Sequence, residues 1–278
     1  MVILTLAGIL IWGVFVGIVF SAIGAAGGIL TSFGLITLFG VMDPNSVKPM
    51  TQIVVLATAL VFVPGYLRRA SAVVPLGLTL GAGGLIGAYA GSTLSTLYLA
   101  DMAQFRPLFG LLTLGIAAQI FWKLYGPSGV PVSHLQGGKV RIVALDPRAL
   151  AFRYGERLYS VPLWSPFLAG VLIAMTAAIF GVGGGFLLVP YMASVLGMPM
   201  YIIPATAAIS IILSLMVSIG NFIRLGAPLD WSLLIPLIVG ALIGAVLGPR
   251  INKAMKNSVL QAAMGVIVLG IGLKYVFL

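Results

Sequence analysis

"IFGVGGGFLLVPYM", residues 179–192, places four glycines in five positions at the centre of an apolar run of membrane length. A segment in hydrocarbon must satisfy its backbone hydrogen bonds within the protein. After proline, glycine is the residue least suited to an uninterrupted helix. The stretch therefore poses a choice between disorder and a deliberate gap in a helix that exposes backbone groups to a ligand. Composition disfavours disorder: the 278 residues are 61% hydrophobic and 7% charged, with a mean hydropathy of +1.19, whereas soluble domains are about 25% charged.

The chain reads as an all-α polytopic membrane protein. Met1 to Leu10 hold no charge and the apolar run continues to Val41, which is not the pattern of a cleaved secretory signal, so the first segment is expected to stay in the protein. Without cysteine there is no disulfide or thiolate chemistry, and His134, the single histidine, lies in a polar stretch, so no metal or other cofactor is expected. The net charge of +10 sits mostly in loops. This is the pattern of positive-inside topology beside a lipid bilayer, and no basic stripe interleaved with aromatics points to nucleic acid.

Outward from the opening stretch, the chain repeats itself. Apolar segments fall near 3–23, 28–42, 50–67, 73–98 and 105–124, and again near 162–180, 185–198, 202–223, 231–249 and 257–277. Superimposing the two sets sets Gly24, Gly27 and Gly28 on Gly181, Gly184 and Gly185, and Gly40 on Gly197. Further on, Pro49 and Thr51 match Pro204 and Thr206, and Arg69 matches Arg224. Gly83, Gly87 and Gly91 match Gly240, Gly244 and Gly248. Three regions result: a repeat over 1–125, a polar insert over 126–161 and a second repeat over 162–278.

Internal repeats of this kind mark secondary transporters, whose substrate sites lie where the two halves meet. Each half opens with about 40 apolar residues, which as one helix would measure about 60 Å, roughly twice the hydrocarbon thickness. The glycine cluster must turn the chain. Each half is then a glycine-broken helical hairpin followed by three spans, and the second half is inverted relative to the first. Charge does not decide this: an inverted arrangement puts eleven of the fifteen basic residues on one side, a parallel one ten. The insert "KVRIVALDPRALAFRYGERLYSVP", residues 139–162, alternates apolar and polar residues around "DPR" and "YGE" turn signals. It predicts a small β meander, cytoplasmic in the inverted arrangement.

The glycines follow two patterns. Gly83, Gly87 and Gly91, with their copies, recur every fourth residue and form one helix stripe for close helix packing. The clusters Gly24 to Gly28 and Gly181 to Gly185 make no stripe; they free several dihedrals at once. Such a break either packs as a tight turn or faces a water-filled cavity, where the second arm offers its first N–H groups and positive dipole end to an anion. The candidate substrate-binding residues are accordingly Gly24, Gly27, Gly28, Gly181, Gly183, Gly184 and Gly185, with Thr51, Gln52, Thr206 and Asn221 as polar side chains within the spans. Ser210, Ser214 and Ser218 are expected to return hydrogen bonds to their own helix. Arg69 and Arg224, at matched helix ends, either snorkel to headgroups or guard a vestibule. Asp101 and Asp230 lie in loops, so no buried carboxylate offers a proton relay, and the coupling ion, proton or sodium, stays open. No nucleophile, acid-base pair or metal cluster within the spans points to an enzyme. Carrier, channel and membrane scaffold remain, with the repeat favouring transport.

The stretch "GVGGGFLLVPYM", followed by Gly197 and then "PATAAISIILSLMVSIGNFIRLGAPLDW" at 204–231, resembles the TauE/SafE family of sulfite and organosulfonate exporters, and the likeness spans nearly all of both halves. The resemblance implies a multi-pass carrier of the prokaryotic inner membrane that moves sulfite, sulfoacetate or a related sulfur-containing anion outward. The glycine clusters and the helix starts at Thr51 and Thr206 would line its path.

Overall fold

The computed structural model describes residues 2–23, 27–69, 72–125, 140–146, 148–199, 201–254 and 257–277. The chain is mostly helical, with two sets of elements in the same order. The first comprises α1 (Val2–Ile23), a short arm α2 (Gly27–Phe33), then α3 (Pro44–Arg69), α4 (Val74–Tyr98) and α5 (Met102–Tyr125). The second comprises α6 (Trp164–Phe180), a short arm α7 (Gly185–Pro190), then α8 (Ile203–Arg224), α9 (Trp231–Ala254) and α10 (Asn257–Phe277). Among the described residues, four helices are long and apolar enough to cross a membrane: Val74–Tyr98, Met102–Tyr125, Ile203–Arg224 and Trp231–Gly248.

Each short arm widens into a π-helical turn, Gly34–Leu38 after α2 and Tyr191–Val195 after α7. Both arms stop at a glycine in the left-handed region, Gly40 at φ 70° and Gly197 at φ 62°, where a side chain would be strained. Three of the five acidic residues begin helices. The Asp43, Asp101 and Asp230 carboxylates accept the N–H groups of Asn45, Ala103 and Ser232 respectively, as N-cap residues do. The Ser232 hydroxyl, with the Ser232 and Leu233 amides, holds the Asp230 carboxyl below its ordinary range.

The glycine stripes join the two sets to each other. A Cβ placed on Gly83, Gly87 or Gly91 of α4 would strike the main chain of Phe167, Val171 or Met175 on α6, and one on Gly170 of α6 would strike Leu80. The same holds where Gly240 and Gly244 of α9 meet Leu10 and Val14 of α1, and where Gly13 and Gly17 meet Leu237 and Ala241. The stripes are packing seams, as their spacing predicts. The packing is reciprocal: the fourth helix of each set, counting the short arm, lies along the first helix of the other, and α5 lies along α10.

The insert is the three-stranded antiparallel meander its alternation predicts: β1 (Val140–Leu145), β2 (Ala149–Tyr154) and β3 (Arg157–Pro162). Gly155, at φ 61°, turns β2 into β3, pairing Tyr154 with Arg157. Alternate residues Leu150, Phe152 and Tyr154 of β2 are buried with Val161 against Val73 and Leu76 of α4, Ile202, Ile203, Met192 and Met198. The sheet thus sits over the ends of α4, α8 and the second arm.

Candidate functional site

The second glycine break is built from two left-handed residues. Gly181 ends α6 at φ 72°, and Gly183 follows at φ 75°, while Gly184 keeps an ordinary helical φ of −77° before α7 begins at Gly185. Only glycine takes the first two conformations without strain. The expectation that the whole cluster is dihedrally special therefore holds at Gly181 and Gly183, whereas Gly184 is small for a different reason, given below.

The two breaks meet. A Cβ on Gly28 would overlap the Val182 main chain, so the first arm lies directly on the second break. On the other side the second break lies along one face of α3: Gly181 packs on the Lys48 backbone and Gly183 on the Val55 side chain. Lys48, Gln52 and Val55 are spaced four and three residues apart, the spacing of one helix face. Gly27 packs on the Phe20 ring, and the Thr51 and Ser32 hydroxyls, 3.0 Å apart, hold α3 to the first arm.

Beside this junction lies a small buried cavity among α3, α4, α6, α8 and the second break. Its walls are Gln52, Ala88, Gly170, Ile173, Ala174, Ala177, Ala178, Gly184, Leu188, Ser210, Ile211, Ser214, Leu215 and Ser218. In this conformation it has room for little more than a water molecule. Gly184 borders it without crowding: its nearest neighbours, Ile173, Leu188 and Ala177, stand 3.5–3.9 Å from where a Cβ would sit, at ordinary contact distance. Two polar atoms stand out. Gln52 Oε1 and Ser218 Oγ are fully buried with no hydrogen-bond partner, in residues 1% exposed, although buried polar atoms are nearly always paired. Ser214 Oγ returns its hydrogen to the Ser210 carbonyl at 2.8 Å, the helix-internal bond expected of it. Ser218 makes no such bond.

The remaining sequence-derived residues lie apart from the cavity walls. Thr206 Oγ1 donates to the Ile202 carbonyl at 2.8 Å and accepts the Val73 N–H at 3.0 Å, fastening the start of α4 to α8. Asn221 is fully engaged: its amide nitrogen donates to Ser92 Oγ at 2.7 Å and Thr93 Oγ1 at 2.9 Å on α4, and its oxygen accepts from Arg224 at 2.9 Å. Arg224 also donates to Tyr89 Oη at 2.9 Å and lies 5.3 Å from that ring centre. Gly24 and the Arg69 side chain lie outside the described residues.

Lys48 falls between the apolar segments expected at 28–42 and 50–67, where a loop charge is expected, but its side chain is entirely buried. The Lys48 ammonium donates to Asn45 Oδ1 at 3.2 Å, Ser95 Oγ at 2.7 Å, and the Ser95 and Leu99 carbonyls at 3.1 and 2.9 Å. These carbonyls end α4, the negative end of its dipole. Ser95 Oγ in turn donates to the Ile179 carbonyl at 2.6 Å, two residues before Gly181 opens the second break. The available signal was its position four residues before Gln52, on the same face of one helix.

With this geometry in place, comparison with known proteins is informative. Residues 9–275 match the family described as "Sulfite exporter TauE/SafE". The chain is 26% identical over 280 residues to "Probable membrane transporter protein YunE" of Bacillus subtilis (strain 168), an alignment covering 97% of this chain and 96% of that protein. No solved structure matches the chain. A match over nearly its whole length, together with helices apolar and long enough to cross a membrane, makes this chain an integral membrane transporter of the TauE/SafE family.

Proposed function

We propose that this protein is a secondary transporter of the prokaryotic inner membrane that exports a small sulfur-containing anion, such as sulfite or an organosulfonate. It works by alternating access between two inverted repeats, residues 1–125 and 162–278. The observation that carries this reading is the meeting of the two glycine breaks, Gly28 against Val182, beside a buried cavity holding unpartnered polar atoms. Backbone of this kind at membrane depth belongs where it faces protein or a polar cavity, and sites at broken helices between repeats are the transporter pattern. The glycines of both breaks with Thr51, Gln52, Thr206 and Asn221 form or support the path, and Arg69 and Arg224 stand at its two vestibules.

Reconstitution into liposomes tests this. Loaded with labelled sulfite, proteoliposomes should show saturable flux and counterflow against unlabelled sulfite or an organosulfonate. Current without saturation or counterflow would indicate a channel. Absence of flux for every sulfur-containing anion, in protein shown to be folded, would overturn the reading. Imposed proton and sodium gradients, applied separately, identify the coupling ion.

A further inference from the structure

The walls of the cavity beside Gln52 carry no titratable side chain: the polar groups are the Gln52 amide and the hydroxyls of Ser210, Ser214 and Ser218. The nearest charge on the same face of α3 is Lys48, one turn earlier, and its four hydrogen-bond acceptors are all neutral oxygens. Those four contacts take up its donors, so it offers no hydrogen bond to a ligand in the cavity. Asp43, the acid nearest Lys48, is occupied as a helix cap, and Asp101 and Asp230 cap helices likewise. The other two acids, Asp146 and Glu156, belong to the sheet insert. Within the cavity, Gln52 Oε1 is an acceptor with nothing to accept, and Ser218 Oγ can both donate and accept.

We propose that this cavity, widened from the water-sized space of this conformation, is the ligand site, and that it selects an oxyanion bearing one negative charge and one remaining hydrogen-bond donor, of which hydrogensulfite is the simplest, over any dianion. The inference rests on the transporter reading above and adds the charge state and contacts of its substrate. Gln52 Oε1 receives the ligand's donor, while the Gln52 amide N–H and the Ser218 hydroxyl donate to its oxygens. The desolvation cost of an ion grows steeply with its charge, and the cavity walls carry no charge to offset it, so a dianion is penalised far more than a monoanion. The ligand brings its own proton from solution. Proton equivalents then move with the anion even though no carboxylate faces the cavity to relay them.

The test is binding to purified protein in detergent at fixed ionic strength, by thermal shift and calorimetry, from pH 6 to 8.5. The probes are sulfite, methanesulfonate, which stays singly charged throughout, and sulfate, a dianion throughout. Above the pH at which half the sulfite is hydrogensulfite, its apparent affinity should fall about tenfold per pH unit as the dianion takes over. Methanesulfonate, whose own charge is fixed, reports any titration of the protein over this range, so the fall for sulfite is read relative to it, and sulfate should bind at least about tenfold more weakly than sulfite at pH 6. Gln52→Leu and, separately, Ser218→Ala should each weaken sulfite binding at pH 6 by at least about tenfold, the loss expected for one hydrogen bond to an ion. Sulfite binding that holds or tightens as pH rises, sulfate binding as tightly as sulfite, or two folded variants binding like the parent would each overturn the inference while leaving the transporter reading intact. Absence of binding and flux for every sulfur-containing anion would overturn both.

Discussion

Replacing Gly28 by alanine tests whether the two breaks form one junction. The added Cβ would stand 2.5 Å from the Val182 carbonyl carbon and 2.7 Å from its Cα, and closer still to its oxygen. Carbon atoms pack at about 3.5–4.0 Å, so the first arm and the second break must separate by about 1 Å. Because the obstacle is backbone, no rotamer change relieves it. Overpacking of this kind costs about 1–3 kcal/mol, and the gain in helix propensity on leaving glycine returns up to about 1 kcal/mol. The net loss of about 1–2 kcal/mol lowers the melting temperature by about 2–8 °C for a protein of this size. Gly184→Ala is the internal control. Its Cβ would meet only ordinary contacts from 3.5 Å outward at a helical φ, so it should unfold within about 2 °C of the parent. Thermal unfolding in one detergent, followed by near-ultraviolet circular dichroism, measures both. If Gly28→Ala melts at or above the parent temperature, the first arm does not press on the second break and the two do not form one junction.

Four further substitutions separate packing from ligand chemistry. Gly184→Leu should overfill the water-sized cavity, cutting sulfite flux into proteoliposomes at least about tenfold and costing about 1–3 kcal/mol of stability; flux at the parent rate in folded protein would remove the cavity from the path. Asn221→Ala should cost about 1–3 kcal/mol, read as a lower melting temperature, by stripping Ser92, Thr93 and Arg224 of a shared partner. Gly87→Leu, whose Cβ would fall on the Val171 carbonyl at the α4–α6 seam, should abolish recovery of folded protein, whereas Gly115→Leu, with nothing within 4 Å, should be recovered at the parent level on size-exclusion chromatography.

What the sequence revealed depended on how local the physics was. Gly83, Gly87 and Gly91 declare a seam because close helix approach needs small residues once per turn, and the meander from Val140 to Pro162 declares itself through alternation and turn residues. The breaks were legible because consecutive glycines cannot serve a stripe. Their dihedral roles were not, since Gly181 and Gly183 take positive φ and Gly184 does not. Asn221 looked available for substrate because its partners lie on α4, more than 120 positions away in the chain. Lys48 looked like a loop charge because only the packed α4 terminus supplies the carbonyls that bury it. Among Ser210, Ser214 and Ser218, nothing local distinguishes the hydroxyl that bonds its own helix from the one left without a partner.

The repeat also shows where the chain departs from itself, and the departure falls on the cavity. Carrying its walls through the repeat sets Ala177 on Phe20, Ser210 on Val55 and Ser214 on Ala59. In the first set Phe20, Val55 and Ala59 are buried in one apolar cluster with Ala208, Leu215 and Ile219. The counterpart of the cavity is thus filled with side chains, an aromatic ring standing where the second set has a methyl group. The matched threonines diverge likewise, Thr51 bonding a hydroxyl of the first arm and Thr206 the backbone at the start of α4. Helix seams demand the same small residues in both copies and have kept them. A ligand needs polar room at one place only, and there one copy keeps the space and the hydroxyls while the other closes over it.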